Sequence, residues 1–148
     1  MWIDDKTYNL IRSKVPVPAA DGVIIKENEV LLLKRNFRPK GSWCLPGGQV
    51  NYREKVEDTV CREVLEETGL RTRIKKLIGV YSDPKRDSKW HAVSVAYLLD
   101  ITGGKLCINE ESSKYGFFPI GKLPKNMAFD HRIVIRDAFK ILKTEGLQ

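Results

Sequence analysis

Three glutamates crowd the stretch "REVLEETGL" at residues 62–70: Glu63, Glu66 and Glu67. On a helix advancing about 100° per residue, Glu67 lies roughly 40° to one side of Glu63 and Glu66 roughly 60° to the other, so the carboxylates share one arc. Cys61, Val64 and Leu65 fall on the adjacent and opposite faces, which gives the helix a core side and a separate acidic side. Like charges at i,i+4 repel by a few tenths of a kcal/mol (about 0.2–0.5). A hard divalent cation such as Mg²⁺ or Mn²⁺, which prefers carboxylate, water and phosphate oxygens, would offset that repulsion. The competing reading is a solvated acidic stripe, because glutamate is a good helix former.

The upstream residues shift the balance. "LPGGQVNYRE" places Gly47 and Gly48 ahead of Glu54, and the spacing runs Gly48, five residues, Glu54, seven residues, Arg62-Glu63-Val64-Leu65-Glu66-Glu67-Thr68-Gly69-Leu70. This pattern resembles the Nudix box of the Nudix hydrolases, with no departure at any defining position. Seven identities at fixed spacing arise by chance on the order of 10⁻⁸ per starting position. Glycines at 47 and 48 allow a sharp turn and a close backbone approach to phosphate. The resemblance implies that the Gly48 carbonyl and the carboxylates of Glu63, Glu66 and Glu67 bind Mg²⁺, for which Mn²⁺ would substitute. It also implies that Glu54, Arg62 and Gly69 are structural, with Arg62 pairing to acidic side chains of the loop and helix, chiefly Glu54. The chemistry would be hydrolysis of a diphosphate linking a nucleoside to a second group. A catalytic base from outside the box is a family habit; "INEESSKY" offers Glu110 and Glu111, and Glu111 is the preferred candidate.

Substrate signals are weaker. "YSDPKRD" resembles the small prokaryotic ADP-ribose pyrophosphatases and offers Asp83, Pro84, Arg86 and, further on, His91 as loop contacts, although Asp-Pro also opens an ordinary turn. ADP-ribose is the expected substrate. Alternatives are a MutT-type (d)NTP pyrophosphohydrolase and, from "KRNFRPKGSW" with a helical N-terminal extension, a GDP-mannose-type nucleotide-sugar hydrolase, whose relatives carry an altered box. A non-catalytic nucleotide sensor would be expected to have lost the box glutamates. Arg35 and Arg38 are candidate phosphate contacts. Trp43, Trp90 and Phe129 either stack on a base or fill hydrophobic space. Asp130 either accepts from a base or caps the last helix, and His131 reads as a helix-surface residue.

These residues need a frame. "DDKTYNLIRSK" reads as a short helix with Tyr8, Leu10 and Ile11 toward the body. Two strands follow, roughly 17–25 and 29–35, joined by "KENE". The run "VLLLKR" suits a strand buried on both faces. Residues 36–50 read as loop, 54–68 as a helix stopped by Gly69, and 70–83 and 91–101 as strands. "GKL" suggests another short strand, 115–120 a further one, and 129–143 an amphipathic helix with Ile133, Ile135, Ala138, Phe139 and Leu142 inward. The order points to an α/β fold with a mixed sheet between helices, and the resemblance implies the Nudix-type α/β/α sandwich. It covers nearly the whole chain as one domain over 1–148, with the box at 48–70 and residues 1–14 as an N-terminal extension.

The 148 residues carry 26 Lys+Arg against 19 Asp+Glu, a formal charge of +7, which favours anionic partners. The basic residues are scattered rather than interleaved with aromatics, apart from "RTRIKK", so a small nucleotide diphosphate is a better expectation than nucleic acid. No apolar run approaches membrane-spanning length. Three widely spaced cysteines and the absence of a signal-like N-terminus fit reduced thiols in a cytoplasmic protein. ADP-ribose-cleaving relatives imply a homodimer by analogy alone.

Overall fold

The computed structural model describes residues 2–146. In chain order the elements are α1 (Asp5–Arg12), β1 (Val17–Lys26), β2 (Glu29–Arg35), β3 (Trp43–Cys44), β4 (Gly47–Gln49), α2 (Val56–Thr68), β5 (Leu70–Tyr81), β6 (Ala92–Gly104), β7 (Ser112–Pro119), a 3-10 turn at Ile120–Lys122, and α3 (His131–Glu145). The strands form one mixed sheet in the order β3-β2-β1-β6-β5, with β4 added to β1 and β7 to β2. β1 and β6 run parallel, from Val17 opposite Ala92 to Ile24 opposite Leu99; the other pairings between strands are antiparallel.

Alternation along the strands divides the core between two helices. Val23, Val30, Leu32, Ala96 and Leu98 pack with Val134, Ile135 and Ala138 of α3. Ala20, Ile24, Leu31, Tyr97 and Leu99 pack with Val60 and Val64 of α2. Successive strand residues thus belong to opposite faces, as the two-residue period requires, and the sheet lies between α2 and α3 as an α/β/α sandwich. β2 is covered on both sides, with Val30, Leu31, Leu32 and Leu33 all buried. The hairpin from β1 to β2 turns at Glu27 and Asn28, both with positive φ (52° and 64°), the backbone that a two-residue hairpin demands. α2 ends where Gly69 takes φ 73°, and its N–H donates to the Leu65 carbonyl.

Several expectations are corrected. Residues 36–50 are not all loop, because β3 pairs with β2 and β4 with β1. No strand forms at 105–109. That stretch instead straps the C-terminus of α2, where Cys107 N donates to the Thr68 carbonyl and Asn109 Nδ2 to the Glu66 carbonyl. Tyr8, Leu10 and Ile11 are exposed, and α1 buries no residue in the body. Leu65 and Ile133 also face solvent, while Thr59, Thr68, His131 and Val134 take buried places. Among the described residues no helix is long and apolar enough to cross a membrane, which leaves strand-based spanning unaddressed.

Candidate active site

β4 brings the glycine pair onto β1, with Gly47 opposite Asp21 and Gly48 opposite Ala20, and α2 lies across them. A Cβ at Gly47 would sit 2.3 Å from the Ala20 carbonyl oxygen, backbone that cannot give way, and one at Gly48 would lie 2.4 Å from the Glu63 carboxyl carbon and displace that side chain. Gly47 N–H donates to Glu67 Oε2 at 3.1 Å. Burial pushes the Glu67 carboxyl up to about 9; the Gly47 N–H opposes this, and the charges of Glu63, Glu111 and Asp21 add to it. Burial also raises Glu63, against the pull of Arg62 and with Glu66 and Glu111 reinforcing the rise.

Arg62 ties the loop to the helix. Its Nε and Nη2 meet the Glu54 carboxylate at 2.7 and 3.0 Å, and Nη2 also donates to the Gln49 carbonyl at 3.1 Å. The fork holds the Glu54 carboxyl down to about 2, helped by the Thr59 hydroxyl. Arg62 Nη1 reaches Glu63 at 2.9 Å and Glu66 at 3.2 Å.

Glu63, Glu66 and Glu67 share the helix face but are not gathered as a preformed site, and among the described residues no three His, Cys, Asp or Glu side chains are. Arg62 Nη1 lies within reach of two of them, Glu63 and Glu66. The donor set still suits a hard divalent cation. It offers carboxylate oxygens from Glu63 and Glu67, each raised by burial, the half-exposed Glu66 that Arg62 holds, and the backbone carbonyl of Gly48.

Glu111 reaches this region through the chain after β6. Asn36 N and Nδ2 donate to the carbonyls of Glu111 and Glu110, and Glu111 N donates to Asn109 Oδ1. Glu111 lines the same cleft as Gly47, Gly48, Glu63 and Glu67, and Glu110 does not.

Beneath the glycines lies a buried polar network that the sequence reading missed. Leu45 N–H donates to His131 Nδ1 at 3.0 Å, so Nε2 carries the ring proton and faces Asp21 Oδ2 at 3.4 Å. Asp21 also accepts from Ser94 Oγ at 2.5 Å and lies 3.7 Å from Arg86. Burial alone would raise the Asp21 carboxyl, but His131, Ser94 and Arg86 outweigh it and hold it low. Arg86 forks onto Asp130 at 2.7 and 3.0 Å. Asp130 therefore does not cap α3 with its side chain, and His131 is 2% exposed rather than a surface residue. A signal was present in the sequence: an aspartate at position 21 interrupts the otherwise uncharged stretch 15–25, and a buried charge requires partners.

The cleft, about 590 Å³, is walled elsewhere by Tyr8, Arg12, Arg35, Phe37, Arg38, Arg86, Trp90 and Phe129. Arg35 bonds the Arg38 carbonyl and stacks between Phe37 and Phe129; Arg38 pairs with Asp87 at 3.2 Å. Asp83 and Pro84 do not line the cleft, and neither does Asp130. Asp83 instead closes a turn, accepting from Lys85 N. His91 meets the Ser82 carbonyl, and Trp43 is core, edge-on to Phe118 at 4.8 Å.

Comparison with known proteins gives the following. A model of the NUDIX domain matches residues 15–138. An ADP-ribose pyrophosphatase of Methanocaldococcus jannaschii is 46% identical over 135 residues, 90% of this chain and 78% of that protein. A putative 8-oxo-dGTP diphosphatase of Bacillus subtilis is 34% identical over 116 residues, 78% of this chain and 74% of that one. A crystal structure of a MutT NUDIX hydrolase from Burkholderia pseudomallei superimposes with a TM-score of 0.74 at 28% identity, covering 84% of this chain and 98% of its own. That of an ADP-ribose pyrophosphatase from Streptococcus suis gives 0.73 at 25%, covering 90% and 96%.

Proposed function

The chain belongs to the NUDIX domain family and is a Nudix hydrolase; from that premise we propose that its substrate is ADP-ribose, cleaved to AMP and ribose 5-phosphate with Mg²⁺ as the metal. The observation that carries the reading is one cleft that joins the glycine pair and acidic side chains to a wall of arginines and aromatic rings, an arrangement suited to a diphosphate with a nucleoside on one side. The 46% identity to an ADP-ribose pyrophosphatase supports the choice of substrate.

In this reading Gly48, Glu63, Glu66 and Glu67 hold the divalent ion that Nudix hydrolases need. A divalent ion held there would neutralise the diphosphate and lower the pKa of an attacking water. Gly47 and Gly48 let the diphosphate lie against the backbone, and Glu54 and Arg62 keep that backbone on α2. Glu111 takes the proton of the attacking water. The water oxygen bonds to one phosphorus, the bridging P–O bond breaks, and the other phosphate leaves with its electron pair. Arg35 and Arg38 face the anionic substrate, and Arg86 with Asp130 braces the wall. The chain works as one domain over 1–148.

A Mg²⁺-supplemented panel of ADP-ribose, GDP-mannose, diadenosine polyphosphates, dNTPs, 8-oxo-dGTP and capped RNA tests this. The expected result is the highest kcat/KM on ADP-ribose with AMP as product, loss of turnover in EDTA and recovery with Mg²⁺. A higher kcat/KM on 8-oxo-dGTP or another dNTP would overturn the substrate assignment.

A further inference from the structure

Residues 1–14 lie outside the span matched by the NUDIX domain model, and α1 contributes nothing to the core. Two of its side chains nevertheless line the cleft, Tyr8 and Arg12. They are tied to it at both ends. The Tyr8 hydroxyl donates to Gln49 Oε1 at 2.9 Å, one residue beyond Gly48. The Arg12 guanidinium donates through Nη1 to the Tyr8 hydroxyl, lies 4.6 Å from the centre of the Trp90 ring and 5.0 Å from that of Tyr8. Lys89 Nζ sits 4.7 Å from the same Trp90 ring. One of its other donors is the telling one: Arg12 Nε is buried and has no hydrogen-bond partner among the described residues. A buried N–H without an acceptor costs about 1–3 kcal/mol, and a guanidinium held between rings keeps its fork in one orientation. A cation fixed this way, with a donor left over, suits an oxyanion brought by a ligand.

We infer that α1 is a substrate-binding wall added to the domain, in which Arg12, clamped by Tyr8 and Trp90, donates to a phosphate oxygen of the diphosphate. This rests on the diphosphate-hydrolase reading above and adds the contact that holds the diphosphate from the side of α1. Tyr8 is a positioning residue, orienting Arg12 against Gln49.

The test compares Arg12→Ala, Arg12→Lys and Tyr8→Phe with the parent chain. Arg12→Ala is expected to raise KM for ADP-ribose about 10- to 100-fold, as the loss of a charge-assisted hydrogen bond predicts, with kcat lowered no more than about threefold. Arg12→Lys, which keeps the charge and loses the fork, falls between, and Tyr8→Phe gives a smaller rise in KM. Equilibrium binding in Mg²⁺ separates phosphate contact from general disorder: Arg12→Ala loses affinity for ADP but keeps that for adenosine. An unchanged KM, or equal losses on ADP and adenosine, would overturn the inference. Should the panel favour another diphosphate, the same variants are measured on it. A KM rise there upholds the Arg12 contact while the ADP-ribose assignment falls, so the two failures are distinguishable.

Discussion

At the residue scale the site turns on carboxylates placed where solvent cannot fully reach them. Glu67 is the extreme case: burial raises it to about 9, and its one backbone donor is Gly47 N–H. Glu67→Gln keeps an acceptor for that N–H and removes the ionisable oxygen. We expect turnover to fall roughly 10²–10⁴-fold while the melting temperature holds or rises, because a carboxylate in an unfavourable place has been removed. Steady-state kinetics alongside thermal unfolding checks this, and near-normal turnover would take Glu67 out of the machinery. The three glutamates were legible as a group from helical spacing, whereas the residue that holds two of them, Arg62, had been paired in sequence only with acidic groups in general and chiefly Glu54. Its division among Glu54, Glu63 and Glu66 depends on side-chain reach across a folded loop. His131 was misread for a related reason. Its position on α3 is visible in the pattern, but the Leu45 N–H and Asp21 that bury it come from 86 and 110 residues away.

At the element scale the loop–helix unit from Gly47 to Gly69 is held by one ion pair more than by a cap. α2 starts without a side-chain cap, since Lys55 occupies that place; Glu54 instead accepts from Asn51 N, the Thr59 hydroxyl and both arms of Arg62. Because its carboxyl is held at about 2, below the ordinary 4.5, its contribution to stability is present above about pH 4.5 and disappears as the pH falls toward 2. The denaturation midpoint of Glu54→Gln should therefore lie below that of the parent at pH 7, with the gap narrowing from about pH 4.5 and closing toward pH 2. A gap independent of pH would show that Glu54 acts through something other than its charge. The apolar periodicities of β1, β2, α2 and α3 were readable because each buries a stripe on one side or, for β2, on both. β3 and β4 were not, since two- and three-residue strands carry no period of their own and exist because β2 and β1 offer unpaired edges.

At the scale of the molecule, a formal charge of +7 surrounds a cleft containing several carboxylates. The surplus is long-range and therefore screened, with a Debye length of about 10 Å at 0.1 M salt. We expect kcat/KM on ADP-ribose to fall several-fold between about 20 and 200 mM NaCl at fixed Mg²⁺; a flat salt profile would show that the basic surface does not steer the substrate. The sequence by itself determined the box, its loop–helix form, the placement of Gly69 as its stop and the mixed sheet between helices, because these depend on local spacing, turn chemistry and burial period. Only the tertiary structure decided that Asp83 and Pro84 stay out of the cleft lining, that Asp130 braces Arg86, that Glu111 and not Glu110 lines the cleft with the glycines and that α1 adds Tyr8 and Arg12 to its wall. These are encounters between distant segments, fixed by where buried charges and hydrogen-bond donors find partners, and no local pattern encodes that.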